Sequence, residues 1–222
     1  MKKLFTTSMM CVDMFELKDQ FPIIEKYTDM YHIDIMDGHF VPNLSLSFDF
    51  IKQLRERTKK PIDIHLMMDN PNQYVDLLIE YKVDYLTFHP KTIERNVFQL
   101  INKIKSNNIK FGIALSPFMG LDKIKYYQKY IDKLTIMTVE PGFAGQKVIP
   151  ETIEKIKDVF DFRKENNLDF LIEVDGSNNR ETFLPYYKNG TDIFVLGSYL
   201  FNKKDLESSY KKIYKYFEDI NV

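Results

Sequence analysis

The sequence predicts an α/β fold of the (β/α)8, or TIM, barrel type, formed by a single domain over residues 1–222. Eight short apolar runs alternate with longer amphipathic segments, as expected for parallel strands connected by helices. No Pro/Gly/Ser-rich linker divides the chain. Its 222 residues are close to the about 250 of a typical barrel of this type. A doubly wound open sheet is the alternative.

The eight predicted strands are rich in Ile, Val, Leu, Phe and Tyr, which is typical of parallel strands buried on both faces. They are residues 4–8, 31–36, 62–67, 85–89, 111–115, 134–139, 170–174 and 193–196. The number of strands favours the closed barrel over the open sheet. Five glycines fall just after predicted strands, at the end of a barrel where active sites are built: Gly38, Gly142, Gly145, Gly176 and Gly197.

Helices are predicted where apolar residues recur at i, i+3 and i+4. They cover residues 74–81, 98–109 and 149–162, with a last helix at 205–217. Pro71 and Pro150 stand at helix entries, where proline is favoured. The last helix has four apolar residues on one face, Leu206, Tyr210, Ile213 and Phe217. We expect that face to close the barrel wall, and a subunit contact is the alternative.

Composition excludes several classes of protein. Lys and Arg number 31 against 32 Asp and Glu, a net charge of −1, so binding to nucleic acid through bulk positive charge is disfavoured. No run approaches the roughly 20 apolar residues of a membrane span. The single cysteine, Cys11, allows no intramolecular disulfide, which favours a reducing compartment. We therefore predict a cytoplasmic protein without nucleic-acid or membrane partners.

Ionisable residues alternate along three predicted strands, and residues two apart on a strand share a face. The pairs are His32 with Asp34, Asp63 with His65, and Glu173 with Asp175. Such side chains inside a barrel are costly unless they are paired, metal-bound or catalytic. All four histidines, His32, His39, His65 and His89, are predicted at or just beyond strand ends.

Four of these residues form a candidate metal site: His32, Asp34, His65 and Asp175. Two imidazoles and two carboxylates suit Zn²⁺, Mn²⁺, Fe²⁺ or Co²⁺. The alternative is a buried ion-pair network without metal, and the spacing alone does not separate the two interpretations.

Glycine-containing loops after the last three strands predict a phosphate site. Gly142 and Gly145 lie within four residues of each other, and glycine lets backbone N–H groups approach an anion closely. Gly176-Ser177 and Gly197-Ser198 follow strands seven and eight, where barrel enzymes often bind phosphate.

The remaining candidate side chains either have two possible roles or argue against a particular type of catalysis. Met36, Met67 and Met137 are either core filler or the lining of a pocket. Lys110 and Lys133 stand at strand starts, the wrong end for a Schiff-base lysine. Nothing in the sequence marks Cys11 as an activated nucleophile.

Six stretches resemble the ribulose-phosphate 3-epimerase family over nearly the whole chain. They are residues 8–13, 32–43, 65–67, 137–146, 173–177 and 195–198. The resemblance implies a barrel that epimerises a ketose phosphate at C3 and binds one divalent metal ion per subunit: Zn, Mn, Co or Fe, with Mg a further candidate. It also implies a homo-oligomer, a dimer or a hexamer.

The resemblance assigns roles by motif position. The metal ligands are His32, Asp34, His65 and Asp175, and the acid/base pair is Asp34 and Asp175. The substrate and phosphate contacts are Ser8, His65, Gly142, Phe143, Ala144, Gly145, Asp175, Gly176, Ser177, Gly197 and Ser198. Met36, Met67 and Met137 match a methionine cap over the substrate.

Within the family, a few positions set the expected substrate. Ala144, Ser177 and the pair Asn178-Asn179 differ from the pattern of the ribulose enzymes and match that of enzymes acting on D-allulose 6-phosphate. The expected product is D-fructose 6-phosphate. The alternative substrate is D-ribulose 5-phosphate, which gives D-xylulose 5-phosphate.

Two other functions are weighed against epimerisation. A sugar-phosphate-binding barrel without catalysis would share the loops but would not need paired aspartates. Related synthases and decarboxylases rely on an Asp-x-Lys-x-x-Asp motif, and the stretch from Asp34 to Asp37 lacks the lysine.

Epimerisation requires loss of a proton on one face of the substrate and its return on the other. Two acid/base groups must then flank the substrate, one ionised and one protonated. The second and seventh strands lie well apart around an eight-stranded ring. We therefore predict that Asp34 removes the C3 proton and Asp175 supplies the other, with the roles exchanged in the reverse direction.

Overall fold

In the computed structural model of the protein, which describes residues 3–202 and 205–220, eight parallel strands form a closed barrel. Each strand pairs with the next one along the chain, and β8 pairs with β1. The (β/α)8 prediction is confirmed, and the open sheet is excluded. The predicted domain, 1–222, includes residues 1, 2, 203, 204, 221 and 222, which lie outside the described residues, so its limits stay a prediction.

The strands begin and end within two residues of their predicted bounds. They are β1 (Leu4–Ser8), β2 (Met30–Met36), β3 (Ile62–Met67), β4 (Tyr85–Phe88), β5 (Lys110–Leu115), β6 (Lys133–Met137), β7 (Leu171–Asp175) and β8 (Ile193–Leu196).

Helices cover the outside of the barrel. They are α1 (Leu17–Tyr27), α2 (Phe48–Arg57), α3 (Val75–Glu80), α4 (Pro90–Ile93), α5 (Val97–Ser106), α6 (Glu151–Glu165), α7 (Phe183–Lys188), α8 (Ser198–Phe201) and α9 (Leu206–Ile220). Helix α5 ends three residues before its predicted limit because Asn108 adopts a left-handed conformation with φ of 59°. Between β5 and β6 the chain makes two short 3-10 turns, Leu121–Ile124 and Gln128–Tyr130.

The C-terminal helix α9 packs on β1 and β8, as predicted. Its Leu206, Tyr210 and Ile213 are buried. The ring of Phe217 packs edge-on against Phe5 of β1 and Phe194 of β8, each at 4.8 Å between ring centroids. None of the described helices is both long and apolar enough to cross a membrane.

Strand residues alternate between two cores. Outward-facing residues such as Ile33, Ile64 and Val174 are fully buried in the apolar layer between barrel and helices. Many inward-facing positions are instead polar and equally buried: Thr6, His32, Asp34, Asp63, His65, Thr87, Lys133, Thr135 and Glu173. The predicted inward orientation of the ionisable pairs is therefore confirmed.

An ion-pair network fills the lower part of the barrel interior, toward the amino ends of the strands. The Lys133 ammonium lies 2.6 Å from Oδ2 of Asp63 and also donates to Oε1 of Glu173. Thr87 donates to Asp63 and Thr135 to Glu173, both at 2.8 Å. Burial lowers the pKa of Lys133, but the two carboxylates raise it above its ordinary value. Lys133 is thus a structural cation, consistent with its exclusion as a Schiff-base lysine.

Candidate active site

Side chains from β2, β3 and β7 converge above this network, at the carboxyl end of the strands. Register places Asp34 of β2 beside His65 of β3. Oδ1 of Asp34 lies 3.2 Å from Nε2 of His32 and 3.1 Å from Nδ1 of His65. Oδ2 of Asp175 lies 3.7 Å and 3.6 Å from the same two nitrogens. All four predicted metal ligands therefore meet at one point.

The spacing and chemistry of this cluster fit a divalent metal ion. One donor atom from each of the four residues lies within 4.8 Å of the others. Tetrahedral ligands bound at about 2.0–2.1 Å are separated by roughly 3.3 Å, and the four measured contacts span 3.1–3.7 Å. Two imidazole nitrogens and two carboxylate oxygens are donors that Zn²⁺, Mn²⁺, Fe²⁺ and Co²⁺ accept.

The lower network orients His32 toward the cluster. Nδ1 of His32 lies 2.8 Å from Oδ2 of Asp63, so we assign the proton to Nδ1 and the lone pair to Nε2, which faces the cluster. Burial lowers the pKa of His32, but Asp34 and Asp63 raise it well above its ordinary value. These carboxylates therefore favour a positive charge at the cluster, which either a proton on His32 or a bound cation would supply. The four residues are arranged so that they could hold a metal ion, and a separate ion-pair network of Lys133, Asp63 and Glu173 lies next to them.

His65 is oriented by a histidine that the sequence did not assign a role. Nε2 of His65 lies 3.0 Å from Nε2 of His89, whose Nδ1 lies 3.4 Å from Oγ of Ser116. Burial and the neighbouring His65 lower the pKa of His89 well below its ordinary value, so His89 is neutral. We assign it as the acceptor of the Nε2 proton of His65, so that the Nδ1 lone pair of His65 faces the cluster.

We expect His89→Ala to weaken Zn²⁺ or Mn²⁺ binding about 10- to 100-fold, because such orienting partners hold the ligand imidazole in place. His89→Gln keeps an acceptor oxygen and should retain most of the affinity. Competition against a chromophoric chelator measures both variants. His39→Ala is the matched control, since His39 is exposed and contacts the Asp37 carbonyl instead. Unchanged metal affinity in His89→Ala would contradict the role of His89 in orienting His65.

The two aspartates differ in the way that paired acid/base chemistry requires. Oδ2 of Asp34 accepts a hydrogen bond from Oγ of Ser8 at 3.0 Å. Burial raises the pKa of Asp34, but His32 and His65 lower it well below its ordinary value. Burial raises the pKa of Asp175 to about 6, and the charge on Asp34 contributes to the rise. Asp34 is therefore a carboxylate, whereas Asp175 can hold a proton near neutral pH.

A cavity of about 400 Å³ opens above the cluster. It is lined by fourteen of the residues proposed from the sequence: Ser8, Asp34, Met36, Met67, Met137, Gly142, Phe143, Ala144, Gly145, Asp175, Gly176, Ser177, Gly197 and Ser198. The remaining two, His32 and His65, are fully buried and belong to the cluster at its floor. His39 alone among the histidines lies apart, because the loop after β2 turns it to solvent.

Several lining residues were not assigned to the site from the sequence, including Cys11, Glu140 and Arg180. Arg180 follows Ser177 by three residues, and this proximity was the signal available. Cys11 lies in the cavity wall, but burial, Asp34 and Asp175 raise the pKa of its thiol to about 12. A thiol in that environment is not a nucleophile at neutral pH.

Side-chain hydrogen bonds fix the loop after β7. Gly176 has φ of +107°, and a Cβ there would lie 2.7 Å from a methyl group of Val139. Ser177, a residue with a Cβ, also has a positive φ of 44°. Nδ2 of Asn179 donates to O and Oγ of Ser177 at 3.0 and 3.1 Å. Such contacts hold a left-handed residue that would otherwise relax.

Removal of these hydrogen bonds should loosen the loop without disturbing the barrel. We expect Asn179→Ala to raise the KM for the ketose phosphate that the sequence predicts as substrate about tenfold, since two hydrogen bonds of about 1 kcal/mol each are lost, and to leave kcat nearly unchanged. Steady-state kinetics measures this. Asn166→Ala is the control, because Asn166 is an exposed residue that bonds the Phe162 carbonyl at the end of α6. An unchanged KM would contradict the role.

A closed barrel with a cluster able to hold a metal ion and glycine loops at the carboxyl end of its strands has the arrangement of barrel enzymes, whose chemistry is performed at that end. Comparison with known proteins identifies the family. The model of the ribulose-phosphate 3 epimerase family matches residues 4–201. The chain belongs to this family and is an epimerase of the isomerase class that acts on a carbohydrate.

Similar curated proteins share both length and sequence with this chain. Ribulose-phosphate 3-epimerase of Methanocaldococcus jannaschii is 37% identical over 93% of this chain and 87% of its own. The enzyme of that name from Aquifex aeolicus is 33% identical over 95% of both chains. The one from Bacillus subtilis is 33% identical over 93% and 95%, respectively.

Solved structures at low identity support the fold alone. KGPDC from Streptococcus mutans superposes with a TM-score of 0.75 at 11% identity, over 98% of each chain. 3-Hexulose-6-phosphate synthase from Salmonella typhimurium superposes with a TM-score of 0.69 at 15% identity, over 96% of this chain and 97% of its own.

Proposed function

We propose that the protein interconverts D-ribulose 5-phosphate and D-xylulose 5-phosphate by epimerisation at C3. The observation that carries the proposal is the pair Asp34 and Asp175, two carboxyl groups on strands β2 and β7 that meet in one buried cluster able to hold a metal ion. The names of the similar curated enzymes support the pentulose phosphate as substrate.

The C3 proton of a ketose lies next to the C2 carbonyl, and its removal gives an enediolate. In the proposed reaction the Asp34 carboxylate takes this proton from one face. Asp175 donates a proton to C3 from the other face, and the two exchange roles in the reverse direction. Ser8 holds Asp34 in place through its hydrogen bond to Oδ2.

His32, Asp34, His65 and Asp175 would hold the divalent metal ion, with Zn, Mn, Co or Fe suited to these donors and Mg a further candidate. A bound divalent ion supplies positive charge that stabilises the negative charge developing on the substrate. Met36, Met67 and Met137, all buried, would cover the intermediate with uncharged, polarisable surface and keep water away.

The loops after β6, β7 and β8 would bind the phosphate through backbone N–H groups at Gly142–Gly145, Gly176-Ser177 and Gly197-Ser198. Phosphate held there anchors the far end of the substrate, so that C3 lies between the two carboxyl groups. The unphosphorylated ketose should therefore react far more slowly.

D-Allulose 6-phosphate is the second candidate substrate. Ser177, held in its left-handed conformation by Asn179, stands where the ribulose pattern has glycine, and Ala144 also departs from that pattern. The names of the curated relatives favour the pentulose phosphate over this expectation. Family membership also disfavours a barrel that binds sugar phosphates without catalysis.

Relative turnover tests the proposal. Protein loaded with Zn²⁺, Mn²⁺, Co²⁺ or Fe²⁺ is incubated separately with D-ribulose 5-phosphate, D-allulose 6-phosphate and unphosphorylated D-ribulose. We expect the highest kcat/KM with ribulose 5-phosphate and the lowest with the free sugar. Faster reaction of D-allulose 6-phosphate would assign that compound as the substrate and leave the proposed mechanism unchanged. Equal rates with and without phosphate would contradict the phosphate loops.

A homo-oligomer, a dimer or a hexamer, and a cytoplasmic location are the remaining parts of the proposal. They are supported by the family resemblance and by the single cysteine. Sedimentation velocity at micromolar concentration distinguishes the monomer, the dimer and the hexamer.

A further inference from the structure

The cavity above the cluster has more acidic than basic side chains in its lining. The proposed metal ion would neutralise Asp34 and Asp175, which leaves the acidic residues Glu140 and Glu181. Among the described residues that line it, Arg180 is the one Lys or Arg. A phosphate monoester carries a charge of about −1.5 to −2 at pH 7. Backbone N–H groups supply only partial positive charge, so a full cation at the phosphate end would offset the acidic lining.

Arg180 is placed and available for that role. It follows Ser177 by three residues in the fixed loop between β7 and α7. Its guanidinium carbon lies 4.0 Å from the centroid of the Tyr216 ring of α9. Within residues 3–202 and 205–220, no carboxylate forms an ion pair with it. Stacking on an aromatic ring orders a guanidinium without neutralising its charge.

The position of Arg180 also separates it from the reacting centre. It lies where the active-site cavity meets a second cavity, of about 410 Å³, formed between α7 and α9. Glu181 N–H donates to the side chain of Asn179 at 2.9 Å, so the backbone on both sides of Arg180 is held by the same network as Ser177. Arg180 lines the same cavity as the glycine loops and is not one of the four residues of the cluster.

We propose that Arg180 binds the phosphate group of the substrate through its guanidinium, and that Tyr216 is a positioning residue that holds the guanidinium at the cavity edge. The inference rests on the proposed function, because it assigns a side chain to the phosphate of that substrate. A planar guanidinium offers two parallel N–H donors to phosphate oxygens, which an ammonium cannot match. Arg180 would thereby give the protein a preference for phosphorylated over free ketoses.

Kinetics of Arg180→Met and Arg180→Lys, with phosphorylated and free ketose, tests this. We expect Arg180→Met to raise the KM for the phosphorylated ketose about 10- to 100-fold, the range for loss of a charge-assisted hydrogen bond, with kcat within about threefold. Arg180→Lys should recover part of the loss. Tyr216→Leu should raise KM less than Arg180→Met does. The kcat/KM for the free ketose should stay unchanged in all three variants.

Lys212→Met is the matched control, because Lys212 lines only the second cavity and should leave KM unchanged. An unchanged KM in Arg180→Met would overturn the assignment. So would an equal loss with phosphorylated and free ketose, since that pattern indicates a structural role.

A binding experiment separates failure of this inference from failure of the proposed function. Calorimetric titration with inorganic phosphate needs no turnover. If the unmodified protein epimerises neither ketose phosphate, the proposed function fails, yet weaker phosphate binding by Arg180→Met would still support Arg180. Equal phosphate binding by both proteins would overturn the assignment of Arg180 whether or not turnover is seen.

Discussion

Replacing Asp34 or Asp175 by Asn is expected to lower epimerisation about 10²- to 10⁴-fold, the usual contribution of a positioned acid or base. Each variant keeps one functional carboxyl group. It should therefore still exchange the C3 proton of one epimer with solvent, on one face, without forming the other epimer. The two variants should be complementary, so that the epimer exchanged by one is inert with the other.

Proton NMR of each epimer in D₂O measures this exchange for both variants. Because both aspartates also belong to the metal-binding cluster, metal content is determined for each variant at the same time. Asp69→Asn is the matched control: Asp69 follows β3 near the same end of the barrel, but its side chain is exposed and does not line the cavity. Exchange of both epimers by either variant, with metal retained, would contradict the two-base assignment.

Replacing Lys133 by Met is expected to destabilise the protein by about 3–5 kcal/mol, because removal of one partner leaves buried charges without compensation. Asp63 and Glu173 are both fully buried, and Lys133 contacts each of them. Their carboxylates would then face each other in the barrel interior, and Oε2 of Glu173 has no hydrogen-bond partner in the described residues.

Urea unfolding followed by circular dichroism measures this loss. Lys110→Met is the matched control: Lys110 begins the neighbouring strand, but its side chain is 57% exposed and its ammonium lies 3.9 Å from Asp132. Exposed pairs of this kind contribute little. Combining Lys133→Met with Asp63→Asn and Glu173→Gln should recover much of the stability, because the uncompensated charge is then absent. A Lys133→Met protein as stable as the unmodified one would show that the network does not stabilise the barrel.

The sequence predicts the barrel and the cluster well because both depend on local periodicity. Alternation along β2 alone places His32 and Asp34 inside and Ile33 outside. Periodicity along a strand does not predict the register between neighbouring strands. Register sets Asp63 beside His32 and His65 beside Asp34, and it divides the inward ionisable residues into a layer that could hold a metal ion and an ion-pair layer.

Features that depend on side-chain contacts between distant segments were not predictable in this way. His89 acts through the ring of His65, and Arg180 is placed by Tyr216, thirty-six residues further along the chain. The expected preference for allulose phosphate rested on a few loop positions such as Ser177. Identity of 33–37% over nearly the whole chain favours the pentulose phosphate instead.

The most direct test of the account is the fate of the C3 proton in D₂O. Metal-loaded protein is incubated with D-ribulose 5-phosphate, and the mixture is followed by proton NMR. The account predicts D-xylulose 5-phosphate that carries deuterium at C3, because a proton leaves to one aspartate and a solvent-derived one arrives from the other. Xylulose phosphate that keeps its C3 proton throughout, or no reaction with any of the four metals, would contradict it.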